Sequence, residues 1–280
     1  MMKRLLVKTH ELWLETQMAA FMSRETENKR VLTEFAKILW RHFTWIEHAL
    51  IVEGIDYDYN RDNIPIKVER LSVIVADLVR RMNDLELMLV HLEDEALRHR
   101  IETDLNYLRY ALGQMPDEEI HAFDMNRRYR DIELDEEATG ALTLFLFEES
   151  YKEYELIMIY NYLQAHSDDA FLNRIFQILI DESFFHLRSF GEMMAEMGIL
   201  GVPRVIHESL YKVSDLEKFL LDGIEEEIAA KEQCKELSDA VAAKSEELAK
   251  FFDFINYQEN YHIELMREAV AHYRELQADV

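Results

Sequence analysis

Along most of this chain the apolar residues fall on one side of a helical wheel, and the breaks between such stretches are short and polar. In the first half, residues 9–22 form an amphipathic segment carrying Trp13, Met18 and Phe21, and 28–53 a longer one. Residues 54–65 run Gly-Ile-Asp-Tyr-Asp-Tyr-Asn-Arg-Asp-Asn-Ile-Pro and read as a turn-forming break. Helix is expected again over about 66–92 and 95–112, then a break at 113–117 and a short helix over 118–130. The acidic stretch 131–137 reads as a linker. It divides a helical module, residues 1–132, from a second domain, residues 133–280.

The second domain predicts four long helices, near 136–165, 169–197, 215–243 and 246–277. The first and last joints are short. His166-Ser167-Asp168-Asp169 and Lys244-Ser245-Glu246-Glu247 supply turn and N-cap residues, with acids where the helix dipole favours them. Such joints make antiparallel neighbours. The middle joint, 198–214, carries Gly201-Val202-Pro203 and a short helical piece near 205–211. A connection of that length reaches up to ~50 Å when extended. A 30-residue helix is about 45 Å long, so the chain can return along it and begin a parallel third helix.

The inward stripes are mostly apolar, and the polar exceptions are informative. The third helix gives Leu216, Leu220, Gly223, Glu227, Ala230, Cys234, Leu237 and Val241 at alternating four and three steps. The fourth gives Phe252, Ile255, Glu259, His262, Met266 and Val270. The first gives Leu142, Leu146, Glu149, Leu156, Tyr160 and Leu163, with Glu153 close by. The second gives Phe171, Ile175, Ile178 or Leu179, Glu182, His186, Phe190 and Met193. Carboxylates buried without partners would each cost several kcal/mol. Four carboxylates and two imidazoles at one level make sense if two divalent cations neutralise them. Mixed oxygen and nitrogen donors suit iron or manganese. The candidate metal ligands are Glu149, Glu182, His186, Glu227, Glu259 and His262, with Glu226 an alternative to Glu227.

Composition agrees with a helical chain. Seven Gly and three Pro in 280 residues are too few for a turn-rich β fold. A formal net charge of −25 repels phosphate backbones, which argues against a nucleic-acid partner. Cys234, the one cysteine, excludes a disulfide framework within the chain and fits a reducing cytoplasm. Apolar stretches such as 141–147 are far too short to span a membrane, and the first residues do not read as a signal-peptide core.

Glu259-Asn260-Tyr261-His262 matches the Glu-x-x-His motif of the ferritin-like superfamily, and the spacings between partner glutamates, 33 and 32 residues, are closest to rubrerythrins. Residues 133–280 resemble that family. The resemblance implies a four-helix bundle with a long crossover between its second and third helices, and a pair of iron (or manganese) ions. It implies redox chemistry with dioxygen or peroxide, of the peroxidase or ferroxidase kind. Two departures stand out. Glu182 and His186 are four steps apart rather than three, which still shares a helical face or is corrected by a π-bulge. The extra third-helix glutamate of many rubrerythrins is Ala230 here, and no four-cysteine rubredoxin module is present, so an external electron donor is expected.

The same ligand pattern is not found in the first half. His42 reads as a core histidine. The pairs around His91–Glu95 and Glu118–His121 fall at helix ends, and the Tyr57–Tyr59 loop reads as packing. The first half is expected to be a structural or interaction module that builds a homodimer or supports the bundle. Two other functions fit the same pattern: a metal store or sensor without turnover, and a metal-free helical interaction protein.

Overall fold

The computed structural model describes residues 1–64, 70–120, 129, 132–199, 201 and 203–278. Among these residues the protein is all-α, with nine helices and no sheet. They are α1 (Met2–Met22), α2 (Thr26–Val52), α3 (Leu71–Leu89), α4 (Glu95–Leu112), α5 (Glu136–Ala165), α6 (Ala170–Glu196), α7 (Glu208–Tyr211), α8 (Leu216–Ala242) and α9 (Glu246–Ala278). None of them is long and apolar enough to cross a membrane. The chain divides into two compact units, Met1–Asp124 with Gly198–Glu208, and Met125–Met197 with Ser209–Val280.

In the first unit α1 packs on α2 and α3, and α4 packs on α2 and α3. The expected amphipathic 9–22 segment is longer, and it is buried on nearly every side from Thr9 to Met22. The 54–64 break holds, opened by Gly54 at φ 68°, a conformation that costs glycine little. Tyr57 and Tyr59 pin this loop to the core, each donating its hydroxyl to the buried Glu47. The short helix expected over 118–130 is not seen at residues 118–120, which are extended; residues 121–128, 130 and 131 lie outside the described residues. Glu118 is a capping group instead. Its carboxylate accepts from Ser23 Oγ, the Arg24 and Glu25 backbone N–H groups and Asn28 Nδ2. It thereby satisfies the N-terminus of α2, whose own N-cap Glu25 makes no side-chain bond.

In the second unit α5 packs on α6 and α8, and α9 packs on α6 and α8. Helix starts are capped by aspartates, of which Asp169 lies in a joint expected to supply a cap. Asp135, Asp169 and Asp215 each accept from the backbone N–H three residues on. One apolar cluster joins Tyr160, the first turns of α6 and α8, and Met266, Ala269 and Val270 near the end of α9. That cluster fixes direction: α5 is antiparallel to α6 and α8, and α9 is antiparallel to both as well. A second apolar layer lies further along. Phe145 makes edge-to-face contacts with Phe190 and Phe252, at 5.4 Å between centroids in each case. The acidic and imidazole side chains lie between these two layers.

Candidate metal centre

Three side chains from α8 and α9 form the tightest group. Glu227, Glu259 and His262 are all buried, and their ligand atoms lie within 4.8 Å of one another. Their position follows from the stripes: Leu220, Ala230, Cys234 and Leu237 are buried with Glu227 on α8, and Phe252, Ile255 and Met266 with Glu259 and His262 on α9. His262 Nδ1 lies 2.7 Å from Glu259 Oε2 and 3.8 Å from Glu227 Oε2. Its Nε2 points the other way and donates to Glu182 on α6.

His186 on α6 is fully buried. Its Nδ1 lies 2.9 Å from Glu153 Oε1 on α5 and 3.9 Å from Glu259 Oε1. Its Nε2 lies 3.2 Å from Gln258 Oε1 on α9. Helix α6 remains α-helical from Glu182 to His186, with no π-bulge. Glu182 keeps 25 % side-chain exposure and sits at the edge of the stripe, and Glu149 is half-buried. Glu226, the alternative to Glu227, is exposed and pairs with Lys152 at 3.3 Å.

Glu153, which the sequence pattern places close to the α5 stripe, lies inside it. It is 6 % exposed, and its Oε2 is buried without a hydrogen bond. The signal for it was present. The observed α5 stripe buries Leu142, Leu146, Ser150, Glu153, Ile157 and Tyr160, a phase that puts Glu153 inside and Glu149 at the rim.

The electrostatics describe a site built to hold positive charge. Burial raises Glu149, to about 7, against the opposing pull of Lys152. Burial also raises Glu259, and the neighbouring Glu227 charge adds to it. Glu227 is held low: burial alone would raise it, but hydrogen bonds from His262 and Glu259 outweigh that. Burial would push both imidazoles down, yet Glu153 lifts His186 to about 9, and bonds to Glu182, Glu227 and Glu259 lift His262 further. Without metal, two imidazolium ions and the nearby Lys152 therefore offset the carboxylates. A divalent ion does the same with more charge, and each histidine then gives up a proton.

Oxygen and imidazole donors, an orphaned buried carboxylate oxygen and two apolar layers that exclude water all fit a transition-metal ion. Tyr160 is buried and stacks on Phe176 at 6.1 Å, a packing role, and Tyr261 is exposed. His42 is a core histidine, 3.0 Å from Asp104. His91 and Glu93 are solvent-exposed, and His121 lies outside the described residues. Comparison of the chain with protein-family models, with curated proteins and with solved structures returns no match.

Proposed function

We propose that the second unit binds a pair of iron or manganese ions between α5, α6, α8 and α9, and that it is an oxidoreductase acting on dioxygen or peroxide. The observation that carries this reading is the buried Glu227–Glu259–His262 group, whose ligand atoms converge within 4.8 Å while Lys152, paired with Glu226, acts on Glu227 through its charge. A bound pair would supply one-electron redox chemistry in a dry cavity. The chain supplies the rest. Glu259 and Glu227 provide charge, His262 and His186 provide neutral nitrogen donors, and the Phe145–Phe190–Phe252 layer keeps bulk water out. Four long helices in a ring with a crossover between the second and third agree with the ferritin-like resemblance. Cys234 is the one cysteine and is buried, so electrons would come from a separate donor.

The test is a metal count on the full chain expressed in iron-supplemented medium, followed by peroxide and dioxygen consumption in the ferrous state. The expected result is close to two metal ions per chain, with turnover lost in Glu259→Ala. Well under one ion per chain, unchanged in Glu259→Ala, would overturn the metal reading. Full occupancy without peroxide or dioxygen consumption would make the protein a store or sensor.

A further inference from the structure

The two histidines are held by a reciprocal arrangement. Four residues before His262 on α9 stands Gln258, and four before His186 on α6 stands Glu182. Each of these residues braces the histidine of the other helix: Glu182 accepts from His262 Nε2, and Gln258 Oε1 lies 3.2 Å from His186 Nε2. An imidazole that donates through Nε2 keeps its lone pair on Nδ1. Both Nδ1 atoms then face the carboxylates. This explains the four-step spacing on α6. Glu182 occupies the place of Gln258, not of Glu259. The residue three before His186, the counterpart of Glu259, is Ser183, which is 3 % exposed.

The inner distances are those of charge-assisted hydrogen bonds, and they are also the separation of two ligands on one ion. Metal–nitrogen and metal–oxygen bonds are about 2.0–2.2 Å, so ligands at right angles sit ~3 Å apart. His262 Nδ1 and Glu259 Oε2 are 2.7 Å apart, and His186 Nδ1 and Glu153 Oε1 are 2.9 Å apart. In both pairs a proton now stands where an ion would. The Glu153 carboxylate has a second buried oxygen without a hydrogen bond.

Resting on the dinuclear reading above, we propose that the centre is asymmetric: Glu227, Glu259 and His262 hold one ion, Glu153, His186 and a shared Glu259 hold the other, and Ser183 stands where a further carboxylate would close the second ion, leaving it a position for a small anionic ligand such as peroxide. Glu182 and Gln258 are positioning residues. Glu149 is outside the ligand set. The first ion has the more tightly gathered ligands, so it binds more strongly.

Cobalt(II) titration of the metal-free full chain, followed by visible absorption, tests this. The expected result is two binding steps of unequal affinity. Glu153→Gln removes the weaker step and leaves the tighter, Glu149→Gln keeps both, and Glu182→Gln weakens the tighter step about 10–100-fold. Azide added to the protein with both ions bound perturbs the spectrum. Ser183→Glu abolishes that response while still binding two cobalt ions, and Ser183→Ala retains it. Ser183→Asp carries the same test should the glutamate variant not fold, and the Glu149 and Glu153 contrast needs neither. Loss of a step in Glu149→Gln but not in Glu153→Gln overturns the proposal, as does an azide response that survives Ser183→Glu with both ions bound. A wild-type chain that takes up no cobalt overturns the metal function itself.

Discussion

Both units close their four long helices into the same ring: α1, α2, α4 and α3 in one, α5, α6, α9 and α8 in the other. Both also bury carboxylates inside. In the first unit one cluster of them is Glu11 and Glu15 on α1 with Asp77 on α3. Arg81 lies among them, its Nε 2.6 Å from Glu15 and 3.3 Å from Asp77, its Nη1 3.6 Å from Glu11, and Lys8 pairs with Glu11 at 2.6 Å. In the second unit the counter-charges in direct contact with the buried carboxylates are His186 and His262, with Lys152 acting from its pair with Glu226. The difference decides what each cluster can do. A guanidinium has no lone pair and never gives up its proton in a protein, so it closes the first cluster permanently. An imidazole can release its proton and become a ligand, so the second cluster is exchangeable.

The largest expected effect comes from removing the fixed cation. Arg81→Met takes the guanidinium away from Glu15, while Glu11 keeps Lys8 at 2.6 Å and Asp77 keeps Arg80 at 2.7 Å, and it should destabilise the first unit by about 3 kcal/mol. All three tryptophans, Trp13, Trp40 and Trp45, lie in that unit, so urea unfolding followed by tryptophan fluorescence reads it alone. The cobalt affinity of the second unit should not move. A loss below about 1 kcal/mol would mean that the Arg81 cluster is solvated rather than closed.

The two units should also respond to pH with opposite sign. Burial, helped by the Arg61 charge, holds His10 well below its ordinary value, and burial lowers His42 despite the Asp104 bond. The unfolded chain then binds protons more readily, so the first unit loses stability as pH falls below about 6.5. In the metal-free second unit His186 is raised to about 9 by Glu153, after burial is overcome. That contribution is complete below about pH 6.5 and disappears as pH rises through 9, on the order of 3 kcal/mol. Glu149, raised to about 7 by burial, acts in the same direction between its unfolded value and 7. With chelator present, the tryptophan transition should weaken on acidification and the remaining circular-dichroism transition on alkalinisation. Manganese(II) should reverse only the second. Two transitions moving together would dissolve the distinction between the units.

A smaller contrast concerns how each unit caps its second helix. Glu118, about 90 residues away in sequence, serves four donors at the start of α2. Asp169 caps α6 locally, accepting from Leu172 N–H at 2.8 Å and from His272 at 3.0 Å. Glu118→Ala should cost about 2 kcal/mol in the tryptophan transition, and Asp169→Ala about 1 kcal/mol in the other. Equal losses would show that the distant carboxylate is no more than an ordinary cap.

These caps also show what a sequence can reveal. Asp169 announces α6 because an N-cap is a local signal. Glu118 cannot announce α2, since the two meet only once the chain has folded. The four long helices of the second unit and the α8 and α9 stripes were legible because their interiors repeat at three and four steps without interruption. The α5 stripe was harder, since Glu149 and Glu153 are four steps apart and about 40° from each other on the wheel, so a small phase error exchanges them. The Glu11–Glu15–Asp77–Arg81 cluster was missed for another reason. Its central cation, Arg81, arrives from a different helix, so α1 reads as amphipathic although it is buried nearly all round. Residues 65–69 and 121–128 lie outside the described residues.

The smallest expected effect tests whether the second unit needs a closer helix approach than its counterpart. Helix α3 contains no glycine, whereas α8 carries Gly223 one turn before Glu227. A Cβ there would stand 3.2 Å from Met266 Sδ, and Met266 follows His262 by one turn on α9. Alanine in a helix interior gains roughly 0.5–1 kcal/mol over glycine. The methionine end is flexible, so it can move aside at a cost of similar size. Gly223→Ala should therefore change stability by less than about 1 kcal/mol in either direction. It should lower cobalt affinity at the tighter step several-fold, because Met266 must shift in the turn beside His262. A full alanine gain with unaltered cobalt affinity would show that the close approach of α8 and α9 does nothing for the site. A loss above about 2 kcal/mol would show that the contact is rigid, and that the glycine serves packing rather than metal binding.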